Sequence, residues 1–358
     1  MNFFQFSENK WLLLFVVLMV VNTFFSVYPG RSLEFLINYS ETLVLYVAVI
    51  FFLNSETHFN KLTMVMVLSS LTLCLPLVLG KTPVGRTSMG TFYDPNDLSM
   101  FLITCLPFMF YHFHHGRKVS RFIALSSILF GIISVILTQS RMGFLALIVF
   151  ALLYLGFGIQ KKRQIILKTV LIGILGMFFV LMSSPLYFER MKTIFEENQT
   201  GSGRTIIWHR AMEMVSENPI FGVGPQAFSS AYGRILKAGK FESVVGYDHQ
   251  WKTAHNSYIL VMVELGIPGF IIYLILVTAT LGNLLRMRKR FQYTKDGFDI
   301  TSMANVVLMS LIIFLFCAYF LSQAYSVVFL LLISSGILLR KIAMQEVKGT
   351  LSKGEANH

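Results

Sequence analysis

The sequence predicts an all-α, polytopic helical membrane protein with about ten transmembrane helices and one large external loop. Three observations carry that expectation. Of 358 residues, 55% are hydrophobic and only 13% charged, and the mean hydropathy is +0.65. Apolar runs of 16 to 20 residues recur from Trp11 to Leu339. The runs are continuous rather than alternating, which selects helices over a barrel, since lipid offers no partner to an unpaired backbone group.

Taken in order, the spans fall at 11–28, 34–53, 62–80, 98–115, 121–138, 142–159 and 165–183, and then at 267–286, 303–322 and 325–340. No small-residue cleavage site follows the first, so it is expected as a retained helix. The expected organisation is an N-terminal membrane part (1–183), an external loop (184–255), a C-terminal membrane part (256–340) and an internal tail (341–358). No internal repeat at a fixed period is evident.

Lysine and arginine set the orientation. With an internal N-terminus, the inner segments hold 18 of the 30 basic residues and the short outer loops only Arg31, Lys81, Arg86 and Arg141. The other eight lie in the long loop, whose translocation is insensitive to charge. Both termini are therefore expected inside. The net charge of +12 sits in collars between spans, without the basic face and interleaved aromatics of a nucleic-acid binder. The lipid bilayer is the expected partner, and nucleic acid is not. Cys74, Cys105 and Cys317 lie in apolar spans and read as packing residues.

The loop is nearly neutral and is expected as short helices over the mouth of the bundle. Within it, Ser202 is a plausible cap for a helix from Arg204, with Ile207, Ala211, Met214 and Val215 on its apolar face and an end before Asn218-Pro219. Arg204 falls in the first turn, where a guanidinium and free backbone N–H groups together suit a diphosphate. The plain alternative is a solvated pair with Glu196 or Glu197. Arg141, in Thr138-Gln139-Ser140-Arg141-Met142-Gly143, is a second anion candidate or a snorkelling anchor. Arg86 is a third, or a partner of Asp94. Asn96 or Asp97 is expected to cap the fourth span.

His255 lies at the outer lip, where an imidazole titrating near neutrality can take a proton from a sugar hydroxyl, or else be structural. Glu264, costly near lipid unless paired, is expected to meet an arginine or cap backbone. Gly266 and Gly269 allow close helix approach around Pro268. Gly222-Val223-Gly224-Pro225-Gln226-Ala227 mimics a dinucleotide fingerprint, but it follows no strand and has a proline where a helix should begin. His112, His114 and His115 close a span without carboxylate or cysteine nearby. Both read as structural.

In order along the chain, Ser140-Arg141-Met142-Gly143, Arg204 with Trp208, Asn218-Pro219-Ile220-Phe221-Gly222-Val223-Gly224, and His255-Asn256 followed by nine residues and Gly266-Ile267-Pro268-Gly269 resemble the O-antigen ligase and polymerase superfamily of bacterial envelope proteins. The resemblance covers about residues 80–285. It implies a multi-pass protein of the bacterial inner membrane with a periplasmic site: an inverting, metal-independent glycosyltransferase without cofactor. The donor it implies is a glycan on undecaprenyl diphosphate, and the acceptor a saccharide on lipid A-core or another lipid-linked repeat.

By that similarity Arg141 and Arg204 bind the diphosphate leaving group and His255 activates the acceptor hydroxyl. Arg86, Arg210, Asn256 and Glu264 are carried as substrate-side residues. The family commonly has about twelve spans, against about ten here. A polymerase of O-antigen, capsule or exopolysaccharide repeats stays open beside the ligase. So does a flippase of the same lipid-linked sugar, which would want charge at mid-membrane, where this chain offers chiefly Glu41 and Lys168.

Overall fold

The computed structural model describes residues 3–80, 94–157, 176, 204–239, 252–291 and 300–355. The span expected at 165–183, apart from residue 176, lies outside them, as do Arg86, Lys168 and Ser202. The described residues form eleven α-helices and a 3-10 turn, with no strand among them. Seven helices are long and apolar enough to cross a membrane. The chain is therefore an all-α, polytopic helical membrane protein.

By packing, it divides into two discontinuous units. The first comprises Met1–Phe52, Glu197–Asn283 and Ala318–Ile337, and the second Leu53–Glu196, Leu284–Cys317 and Leu338–His358. The first contains α1 (Ser7–Phe24) and α2 (Pro29–Phe52). With them are α7 (Arg204–Glu217), α8 (Phe228–Lys237) and most of α9 (Ser257–Arg290). At one end of this unit buried polar groups pair off, as groups in lipid must. Asn283 Nδ2 donates to Glu8 Oε1 at 2.6 Å, and the Tyr46 hydroxyl to Asn9 Oδ1 at 2.7 Å.

The second unit is organised around α4 (Pro95–His115), buried almost continuously from Leu98 to His112 and packed by α3 (Glu56–Val78), α5 (Lys118–Leu137) and α6 (Arg141–Phe157). Its cap is a correction to the sequence reading. Asp94, not Asn96 or Asp97, accepts the amides of Asn96 and Asp97, at 2.6 and 2.9 Å. Pro95 takes the first helical position, where its fixed φ suits the turn and a missing N–H costs nothing, which puts the cap at Asp94, two residues before Asn96. Asp94 thus serves backbone. Inside the unit the Thr63 hydroxyl pairs with His112 Nε2 at 2.8 Å, and Cys74, Cys105 and Cys317 are buried free thiols. The chain then runs through α10 (Ile300–Ala318) and α11 (Val327–Glu355), the latter continuing as helix past the span end expected at 340.

The ninth helix is broken by design of its sequence. Gly266 adopts φ 68° and ψ −175°, two residues before Pro268. A glycine accepts that conformation readily, and the proline removes the amide that would have served the carbonyl of Glu264. Three carbonyls and one amide at the break are taken by partners from other segments. The Val263 carbonyl accepts from Val223 N–H at 2.9 Å and the Glu264 carbonyl from Gly224 N–H at 3.0 Å. The Ile267 amide donates to the Pro219 carbonyl at 2.8 Å, and the Leu265 carbonyl accepts from Asn22 Nδ2 at 3.2 Å. The helix begins at Ser257, ten residues before the expected span, because a buried Asn256 caps it and the break is sealed.

Candidate functional site

The segment 218–227 joins α7 to α8 and forms the floor of the site in the first unit. A side chain at Gly222 would put its Cβ 2.5 Å from the Glu264 and Val263 carbonyl oxygens, and one at Gly224 would strike Ser26. The Ser26 hydroxyl donates to the Val223 carbonyl at 3.1 Å, and Ser32 to that of Pro225 at 2.8 Å. The glycines of the nucleotide-like string therefore seat one backbone on another.

Above this floor, α7 starts at Arg204 and ends at Glu217, with Ile207, Arg210, Ala211, Met214 and Val215 buried. The apolar face is the one its spacing predicts, with one addition. Arg210 lies inside, 3% exposed, where Nη1 donates to the Tyr232 hydroxyl at 2.9 Å and the guanidinium carbon sits 5.9 Å from that ring's centre. Glu264 is also enclosed, at 1%. Its Oε1 accepts the Phe228 amide at 3.1 Å, fastening the start of α8. Tyr325 comes within hydrogen-bonding reach of Glu264, yet neither Glu264 Oε2 nor the Tyr325 hydroxyl makes a bond of good geometry. Asn256, 2% exposed, uses its carboxamide oxygen to accept the Tyr258 and Ile259 amides, at 2.9 and 3.1 Å.

Arg204 and His255 reach the same rim of the unit through Trp208. One turn on from Arg204, the Trp208 indole N–H donates to the Ala254 carbonyl at 2.9 Å, the residue before His255. Trp208 also meets Tyr319 edge-on, with ring centres 5.6 Å apart, and Tyr319 meets Phe320 at 5.1 Å. The Arg204 guanidinium carbon lies 5.8 Å from the Phe320 ring centre. His255 itself takes φ 46°, uncommon for a residue with a side chain, and its amide donates to Ser322 Oγ at 3.0 Å.

Arg141 belongs to the second unit, where it opens α6. Ser140 caps that helix by accepting the Gly143 amide at 3.0 Å and donates to Asn96 Oδ1 at 2.8 Å. A Cβ on Gly143 would lie 2.9 Å from that of Ser99, and the Ser99 and Thr138 hydroxyls pair at 2.7 Å. Gln139, at φ 51°, makes the turn. Of the expected site residues, the first unit thus brings Arg204 and His255 to one rim and uses Asn256, Arg210 and Glu264 beneath it. Arg86 lies outside the described residues.

Sequence reasoning passed over the connection between α10 and α11. It carries Tyr319, Phe320, Ser322 and Tyr325, all of which touch the site, and its signal is a Ser-Gln pair between two tyrosines in otherwise apolar sequence. It likewise passed over Arg31, whose Nη1 donates to Ser230 Oγ on α8 at 2.9 Å.

Residues 126–274 match the family described as O-antigen ligase. The matched segment holds Arg141, Arg204, Arg210, His255, Asn256 and Glu264, and it supports the O-antigen ligase and polymerase superfamily and, with it, a membrane protein of the glycan-transfer type. No curated protein matches the chain.

Proposed function

We propose that the protein is a bacterial inner-membrane glycosyltransferase of the ligase type, with its site on the periplasmic face and both termini in the cytoplasm. It moves a glycan from undecaprenyl diphosphate to a hydroxyl of an acceptor saccharide such as lipid A-core. The observation that carries this reading is the Trp208 bond to Ala254, which ties the first turn of the helix that Arg204 opens to the residue before His255.

In the step we infer, His255 takes the proton of the acceptor hydroxyl as its oxygen attacks the anomeric carbon. The bond from that carbon to the diphosphate oxygen breaks with inversion, and undecaprenyl diphosphate leaves with the electron pair. Arg204 stabilises the charge that develops on the leaving group; Arg141 is kept as a donor-side cation on the resemblance alone. A prepositioned donor of this sort is worth about 2.7–4 kcal/mol of barrier, so the scheme calls on guanidiniums and on no metal. Tyr319, 46% exposed against Trp208, offers a ring face on which a pyranose of the acceptor can pack. Arg210, Asn256 and Glu264 hold α7, α8 and α9 in register beneath the rim. Arg86 is kept as a donor-side cation on the resemblance alone.

The test uses purified full chain in nanodiscs, donor extracted from a strain deleted for its gene, and rough lipopolysaccharide as acceptor. Arg204→Ala and His255→Ala are expected to lower turnover about 10²-fold or more; turnover at the unsubstituted rate in either removes the role assigned to it. The deletion strain separates ligase from polymerase, because loss of a ligase accumulates polymer on the lipid carrier and loss of a polymerase leaves single repeats.

A further inference from the structure

We propose that Ser322 is a positioning residue for His255. The inference rests on the general-base reading of that histidine and extends it to a segment outside the stretch that matches the family. His255 has to be held, because φ 46° is a conformation that a residue with a Cβ keeps only where its surroundings over-determine it. The bonds around it do so. Ser322 Oγ accepts the His255 amide at 3.0 Å and pairs with Thr253 Oγ1 at 2.9 Å, so one hydroxyl grips the loop on both sides of Ala254. Ser257 reciprocates from the other segment. Its hydroxyl donates to the Leu321 carbonyl at 2.6 Å and accepts the Gln323 amide at 2.8 Å.

The two segments are stitched serine to backbone in both directions, and the two seams differ in character. Ser257 is fully enclosed and belongs to the helix start. Ser322 is half-buried at the rim and touches the histidine's own amide. Without its hydroxyl that amide loses the acceptor that Ser322 supplies, and rotation of φ back to negative values becomes easier, which would carry the imidazole away from its place on the rim.

The test compares Ser322→Ala with Ser322→Thr, which keeps the hydroxyl, in the full chain with the donor extract and acceptor named above. Ser322→Ala is expected to lower kcat about tenfold or more, the rate equivalent of one lost hydrogen bond, with the donor KM within about twofold. Ser322→Thr should recover most of that loss. Amide exchange over residues 253–257 should speed up about tenfold in Ser322→Ala and stay slow in Ser322→Thr. Adding Ser322→Ala to His255→Ala should cost nothing more, because a residue acting through another has no effect once the other is gone.

Equal losses in the two serine variants, wild-type kcat in Ser322→Ala, or unchanged exchange over 253–257 would each overturn the proposal. A His255→Ala protein that turns over normally sinks the general-base reading instead. A slow His255→Ala beside a normal Ser322→Ala sinks only the positioning role.

Discussion

Replacing Gly222 by alanine tests whether the segment 218–227 is a structural seat. At φ 64° an added Cβ is strained in its own right, and here it would also meet the Glu264 and Val263 carbonyl oxygens at 2.5 Å. The left-handed conformation costs about 1–2 kcal/mol. Pushing the strand of backbone away from α9 loosens two further bonds, Val223 N–H to the Val263 carbonyl and Gly224 N–H to that of Glu264, each worth about 0.5–1.5 kcal/mol. The expected loss is about 2–5 kcal/mol. Gly239 supplies the control. Its φ is 66° but nothing lies within 4 Å of its added Cβ, so Gly239→Ala should cost only the about 1–2 kcal/mol of strain. At roughly 2 °C per kcal/mol for a chain of this size, thermal unfolding of the purified protein should fall by about 4–10 °C for Gly222→Ala and about 2–4 °C for Gly239→Ala. If the two melt together, the seat is not where the glycine is needed. If Gly222→Ala keeps its melting temperature and instead loses affinity for a dinucleotide, the structural reading of the glycine string is wrong.

Three further outcomes are expected. Arg210→Ala removes a charged hydrogen bond and a ring contact to Tyr232, about 2–4 kcal/mol together, and should lower thermal stability without touching substrate KM; a stable variant with a raised donor KM would move Arg210 to the substrate. Asn256→Ala should cost about 1 kcal/mol as a lost cap, with Asn256→Asp close to neutral, and amide exchange at Tyr258 and Ile259 checks it, since equal exchange in both variants denies the cap. Tyr319→Ala should raise acceptor KM about three- to tenfold, the weight of one aromatic contact, with kcat nearly unchanged; a fall in melting temperature at constant KM would make it an interfacial anchor.

The elements that periodicity and composition could announce were legible, and those that depend on distant partners were not. The apolar face of α7 was readable from Ile207, Ala211, Met214 and Val215 because helical spacing is local. Arg210 shares that face by the same spacing, three residues after Ile207, but nothing local says that it can be buried there, since its partner Tyr232 lies 22 residues on in another helix. The cap of α4 was expected at Asn96 or Asp97 and falls at Asp94: Asn and Asp all suit a cap, and only the proline at the first helical position decides where the helix starts. Arg204 and His255 stood out as a cation and a base near an outer lip. Ser322 did not, because a serine between two apolar runs has no signature until the loop it holds is seen beside it.

The spacing of His255-Asn256, nine residues and Gly266-Ile267-Pro268-Gly269 has a mechanical reason. The nine residues 257–265 are the first piece of α9, between the cap at Asn256 and the break at Gly266, a rod of about 13.5 Å at 1.5 Å per residue. One end carries His255 and is pinned to Ser322. The other presents the Val263, Glu264 and Leu265 carbonyls to Val223, Gly224 and Asn22. One residue more or fewer would turn one end about 100° against the other, so that His255 and the carbonyls of the break could not both keep their partners. The glycine string that follows Asn218-Pro219 belongs to the same joint, since Gly222 and Gly224 are the residues that let its backbone reach those carbonyls. Two motifs that look independent along the chain are the two faces of one contact, and the contact fixes how far the histidine stands from the buried Glu264 that anchors α8.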